Sequence, residues 1–129
     1  MKKIIILIGA LFLLTACASS GDMKADVLSA NVGVESMDGV QIIDVRSSDE
    51  FKSGCLSGAQ NVDVQSTDFT EKISKLDKNS TYLVYCRSGR RSSQAVELMK
   101  NAGFTNVKEL NGGILNWQEQ GNELSQNCG

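Results

Sequence analysis

Cys86 opens the segment Cys86-Arg87-Ser88-Gly89-Arg90-Arg91-Ser92, in which one thiol is followed by three arginines within five residues. The apolar run Tyr82-Leu83-Val84-Tyr85 precedes it, and Ser93-Gln94-Ala95-Val96-Glu97-Leu98-Met99 follows with helical spacing. A strand, a short loop and a helix in that order aim backbone N–H groups and the positive helix end at the first loop residue. A free thiol ionises at a pKa of about 8.5, and a helix N-terminus with nearby cations lowers that by one to several units, giving a thiolate at neutral pH. Arg87, Arg90 and Arg91 stay protonated and present forked donors to an oxyanion, so they are candidates for holding the thiolate and for collecting an anionic substrate. Gly89 can take the positive φ that lets successive N–H groups converge on an anion. Ser88 and Ser92 offer hydroxyl donors, Ser92 being also a candidate helix cap. A buried structural cysteine would instead have apolar neighbours.

The elements that must hold this loop alternate between strand and helix. Val40–Val45 reads as a strand, Asp49–Lys52 as a short helix and Ala59–Val64 as a second strand. Phe69–Leu76 has helical spacing, Thr81–Tyr85 is a buried strand, residues from about Arg91 to Asn101 form a helix stopped by Gly103, and Asn106–Leu110 is a further strand. The stretch Met23–Gly39 has no clear period and is left unassigned. Such alternation predicts a parallel sheet covered by helices, with ligands at the carboxyl ends of its strands, where Cys86 falls.

The 129 residues suffice for one domain, and the first sixteen have the layout of a removable signal. Lys2 and Lys3 precede an apolar run from Ile4 to Leu14, which as a helix would be about 16 Å long against a bilayer core of roughly 30 Å. A permanent span is therefore not expected. Leu14-Thr15-Ala16-Cys17 resembles the lipobox of bacterial lipoproteins, which implies acylation of Cys17 after cleavage; the alternative is an ordinary signal with a chance cysteine. The expected organisation is a signal peptide over 1–16, a lipidated tether over 17–30 that begins with the small polar stretch Ala18–Asp22, and a domain over 31–129. Ala18, where an Asp would signal inner-membrane retention, points to the outer membrane of a Gram-negative envelope, facing the periplasm. Losing Lys2 and Lys3 from the 13 Lys and Arg leaves eleven against fifteen acidic residues, a formal charge of −4 that disfavours nucleic-acid binding.

Ile43-Asp44-Val45-Arg46, Glu50-Phe51, Gly54, Gly58-Ala59, Asn61-Val62, the loop opened by Cys86, and Leu110-Asn111-Gly112-Gly113 with Trp117 and Gly121 follow one another over residues 42–121. In order and spacing this chain resembles a single-domain rhodanese, or thiosulfate sulfurtransferase. The resemblance implies an α/β fold with a five-stranded, mainly parallel sheet flanked by helices, and a Cys86 that carries sulfane sulfur as a persulfide. The implied partners are a small-molecule sulfur donor and a cyanide or thiol acceptor, with Arg87, Ser88, Gly89, Arg90 and Arg91 binding substrate and no cofactor or metal. Many relatives carry His where this chain has Cys55 and Pro where it has Ser57, and the chain has no His or Pro at all. An imidazole base is thus excluded; a preformed thiolate attacking a sulfur–sulfur bond does not need one.

Three other readings compete. Cysteine phosphatases use a similar loop but require Arg at position 92, which is Ser here. Cys55, Cys86 and Cys128 permit three pairings; sulfur transfer needs Cys86 free, with either a Cys55–Cys128 disulfide or three free thiols, whereas reversible pairing of Cys86 with Cys55 or Cys128 would make a redox relay or sensor. The third is a rhodanese-like interaction module without catalysis. Around the loop, Arg46 and Glu50 are expected to form a structural pair, Trp117 to fill the core, Tyr85 to pack within its strand, and Gly112 and Gly113 to let the backbone pass close to the loop.

Overall fold

The structure, a computed structural model, describes residues 26–28 and 38–129; the signal segment and Cys17 lie outside the described residues. Four helices and five strands follow in the order β1 (Asp26–Leu28), β2 (Val40–Asp44), α1 (Ser48–Lys52), β3 (Gln60–Asn61), α2 (Phe69–Ser74), β4 (Thr81–Tyr85), α3 (Arg90–Asn101), β5 (Asn106–Leu110) and α4 (Gly113–Glu119). One five-stranded sheet has the order β1-β5-β4-β2-β3, with every pair parallel. This is the rhodanese-like α/β architecture that the sequence led us to expect. No described helix is long and apolar enough to cross a membrane.

The central strand β4 was legible because it is buried on both faces of the parallel sheet from Tyr82 to Tyr85. Alternate side chains of β4 serve two cores. Tyr82 and Val84 meet Phe69 and Ile73 of α2 and Ala95, Val96 and Met99 of α3 on one face. Leu83 and Tyr85 meet Leu56, Leu110, Ile114 and Trp117 on the other. Trp117, expected to fill the core, is 4% exposed, and its Nε1 donates to the Glu123 carbonyl at 3.1 Å. The strand expected over Ala59–Val64 is only Gln60–Asn61; beyond it, Val62 and Val64 N–H groups still reach Asp44 and Val45 carbonyls at 2.9 and 3.2 Å, without a regular ladder. β1 lies within the stretch expected to be tether, so the sheet begins before residue 31.

Two features brace the layer beneath the loop. Asp44 is fully buried and accepts from the backbone N–H of Arg46 at 2.9 Å and from its Nη2 at 2.6 Å. The same guanidinium donates to the Gly54 carbonyl at 2.6 Å and lies 5.8 Å from the centre of the Tyr85 ring. Arg46 therefore pairs with Asp44, not with Glu50: a buried guanidinium needs a buried carboxylate, and Glu50 is engaged elsewhere. The second feature is covalent. Cys55 and Cys128, separated by 73 residues, are joined by a disulfide, and Cys55 and Ser125 exchange backbone hydrogen bonds of 3.1 and 2.8 Å beside it. On the chain-entropy account a loop of this length contributes about 4 kcal/mol. Replacing Cys128 with Ser should lower the unfolding free energy by about 2–4 kcal/mol, measured by denaturant titration, with Cys86 still unpaired by thiol mapping.

Candidate functional site

Because β2, β4 and β5 run parallel, their carboxyl ends bring Arg46, Cys86 and Gly112-Gly113 to one edge of the sheet. Cys86 is the first residue after β4, is 1% exposed, and is the one free cysteine among the described residues. Gly89, at φ 114°, is the cap of α3, and its N–H donates to Cys86 Sγ at 3.0 Å. The left-handed turn at this glycine is what folds the amides back over the sulfur.

The outer side of the loop is tied to α4. Ile114 N–H donates to the Cys86 carbonyl at 3.0 Å and Leu115 N–H to the Arg87 carbonyl at 3.1 Å. With those carbonyls occupied outside, the loop's N–H groups are left to face the sulfur. The approach demands a glycine: at Gly113, φ 63°, a Cβ would lie 2.5 Å from the carbonyl oxygens of both Cys86 and Arg87.

Burial of Cys86 pushes its thiol up, but the Ser92 hydroxyl, when turned to the ionised sulfur, and the N–H groups of Ser92, Gly89 and Ser88 outweigh this and hold it below the ordinary thiol value. Ser92 is fully buried, with its Oγ 3.4 Å from Sγ. It sits one turn inside α3, whose cap is Gly89, so it is a partner of the sulfur and not the helix cap. Tyr85 is not a second acid or base: burial and Asp44 push its phenol far up, and its oxygen accepts from Leu56 N–H at 3.0 Å.

The arginines divide. Arg87 and Arg90 are exposed, and Arg90 lines a cleft of about 470 Å³ with Ser88, Arg91, Gln65 and Gln94. Arg91, expected to present a free fork to an anion, is instead engaged by Glu50, Nη1 to Oε2 at 2.7 Å and Nη2 to Oε1 at 2.9 Å. Glu50 is positioned by its own helix start, where it forms a capping box with Ser47. The spacing Ser47-x-x-Glu50 carried that signal in the sequence; the cross-chain partnership with Arg91 had none. Gln65 and Gln94, polar residues on a loop and a helix, had no distinguishing pattern either.

Residues 25–120 match the family described as rhodanese-like domain, and residues 1–18 match the prokaryotic membrane lipoprotein lipid attachment site. A mitochondrial protein of Schizosaccharomyces pombe is 33% identical over 90 residues, covering 61% of this chain and 63% of the relative, so the chain spans less than two thirds of that protein. The chloroplast thiosulfate sulfurtransferase 16 of Arabidopsis thaliana is 34% identical over 93 residues, covering 64% and 78%. The crystal structure of a rhodanese-related protein from Thermoplasma volcanium superposes with a TM-score of 0.71 at 27% identity, covering 79% of this chain and 99% of the other. The chain belongs to the rhodanese-like family. Its N-terminus carries a lipoprotein attachment motif that includes Cys17.

Two measurements follow from this geometry. Gly113→Ala should cost about 2 kcal/mol or more in unfolding free energy and raise the ionisation midpoint of Cys86, read as thiolate ultraviolet absorbance against a Cys86→Ser blank, because the loop must swing off α4. Arg91, with lesser help from Ser47, lowers Glu50 from 4.5 to about 2 against the opposing effect of burial. A carboxylate held low in the fold stabilises it above pH 4.5 and loses that contribution as pH falls towards 2. Denaturant midpoints followed down through this window should therefore fall less steeply in Glu50→Gln than in the parent.

Proposed function

We propose that this protein is a membrane-anchored sulfurtransferase that moves sulfane sulfur from thiosulfate or a related persulfide to a cyanide or thiol acceptor through Cys86. The observation that carries the reading is the unpaired Cys86 sulfur at the start of α3, 3.0 Å from the Gly89 N–H and held below its ordinary ionisation value. Family membership and relatives named as thiosulfate sulfurtransferases support it.

In the first half-reaction the Cys86 thiolate attacks the outer sulfur of thiosulfate. The donor's sulfur–sulfur bond breaks, sulfite leaves with the bonding pair, and Cys86 carries a persulfide. N–H groups from Arg87 to Arg91 stabilise its terminal negative charge. In the second, cyanide or a thiolate attacks that terminal sulfur, and Cys86 leaves as the thiolate it was at the start. No net oxidation occurs, and no base is consumed. Arg90 at the cleft wall and the exposed Arg87 supply the attraction for an anionic donor, while Arg91 holds the loop against α1 through Glu50.

The Cys55–Cys128 link leaves neither cysteine available to resolve a disulfide with Cys86, which weighs against a redox relay. A module without catalysis would have no use for a sulfur held in this state. Acylation at Cys17, within the attachment motif, would place the domain at the envelope, and Ala18 favours the outer membrane facing the periplasm.

Incubation with thiosulfate should add the mass of one sulfur to Cys86, and Cys86→Ser should lose both that adduct and thiocyanate formation. Arg90→Ala should raise KM for thiosulfate roughly tenfold, the worth of one charge-assisted contact, with a smaller change for an uncharged sulfur donor. Equal losses with both donors would sink the charge-recognition role.

A further inference from the structure

Glu109, near the end of β5, does not line the cleft, yet it is linked to Cys86 through a single buried hydroxyl. Its Oε1 accepts from Ser92 Oγ at 2.7 Å and from Ser93 Oγ at 2.8 Å. Ser92 Oγ also lies 3.0 Å from the Gly89 carbonyl and accepts from Cys86 Sγ at 3.4 Å. A serine hydroxyl has one proton to give. A carboxylate takes that proton in preference to a carbonyl or a thiol sulfur, because the charge-assisted bond is the stronger. With its proton on Glu109, Ser92 turns a lone pair to Cys86, an arrangement that accepts the S–H of the thiol and opposes the charge of a thiolate. For Ser92 to donate to an ionised sulfur, the hydroxyl has to leave Glu109.

We propose that Glu109 is a positioning residue for the reaction at Cys86: by holding the Ser92 hydroxyl it favours the S–H form of the sulfur, offsetting part, but not all, of the pull of the loop N–H groups. The inference rests on Cys86 being the sulfur-carrying nucleophile. It gives the opposition a use, since a thiolate stabilised too far loses nucleophilicity and the best attacking thiol ionises near ambient pH. On ionisation the S–H proton goes to solvent, the Ser92 hydroxyl turns to the sulfur, and Ser93 remains on the carboxylate.

The other charges around Cys86 are accounted for. Arg91 of α3 couples to the sulfur, is paired with Glu50 of α1, and also feels the charge of Asp63 on the segment after β3. Arg87 and Arg90 are on the exposed side of the loop, and the Asp44–Arg46 pair lies at the end of β2. The first turn of α4 carries no acidic residue. In the sheet Glu109 stands in register with Val84 of β4 and Val27 of β1, and the nearest charge along its own strand is Lys108. Glu109 is thus the carboxylate joined to Cys86 by one hydroxyl.

The test is the ionisation midpoint of Cys86 in the full-length protein in detergent, read as thiolate absorbance against Cys86→Ser. Glu109→Gln keeps an oxygen acceptor and removes the charge, and should lower the midpoint by about one pH unit. Ser93→Ala, at an exposed position, strips one donor from the carboxylate and should raise it. In a Ser92→Ala background the Glu109→Gln shift should shrink to less than half. An unchanged or raised midpoint in Glu109→Gln, or the same shift in both backgrounds, would overturn the proposal; if Glu109→Gln does not fold, a midpoint in Ser93→Ala that fails to rise overturns it as well. Sulfur loading by mass on the same proteins separates the two ideas: shifts without loading remove the sulfurtransferase reading, and loading without shifts removes the role of Glu109.

Discussion

Everything at the site depends on which way two peptide groups face. The carbonyls of Cys86 and Arg87 accept from Ile114 and Leu115, so their dipoles point away from the sulfur. A loop of seven residues has no intrinsic reason to keep its amides inward; left to itself it would exchange both sets of groups with water. Here the choice is made by α4, a short helix whose own position comes from Trp117 and Ile114 in the second core. The inward-facing N–H groups around Cys86 are in this sense a consequence of apolar packing on the opposite side of the sheet. The glycine at 113 is the point where the two are joined, since no side chain fits between the helix and the loop.

The charged residues near the site show a division of labour that net charge hides. The buried Asp44–Arg46 pair locks the end of β2 to the following segment through Gly54, and Leu56, two residues later, donates to Tyr85 immediately before Cys86. Glu50 and Arg91 connect α1 to α3 in the same manner but at the surface, where water weakens the pair. With Arg91 paired to Glu50, the exposed cations of the loop are Arg87 and Arg90.

Much of this was legible from residue types. A strand buried inside a parallel sheet announces itself as an unbroken apolar run, and β4 did so over Tyr82–Tyr85, while β2 and β5 showed only two or three apolar residues each; the cysteine loop stood out because cations rarely follow a structural thiol. β1 was not legible. It is three residues long in a stretch without period, and its place is set by pairing with β5 across some eighty intervening residues. The shortened β3 has a related cause, since it pairs only with β2 at the edge of the sheet. The pairing of Arg91 with Glu50 was not legible because its partner lies 41 positions away, and Glu109 went unnoticed because its contact with Ser92 spans 17. Local pattern finds elements and reactive residues; it does not see which charges the fold will bring face to face.

The crosslink between positions 55 and 128 encloses Cys86 in sequence, with position 86 lying between its two ends. An unfolded chain with these thiols exposed can be oxidised in three ways, and two of them consume Cys86. Because loop closure favours near neighbours, the wrong link between 55 and 86 forms more readily than the right one in a chain without structure. Correct maturation therefore requires that the sheet assemble and hide residue 86 before oxidation is complete, or that a dithiol catalyst reshuffle the bonds afterwards. By either route it is tertiary structure, and not the order in which the thiols meet, that selects the final link.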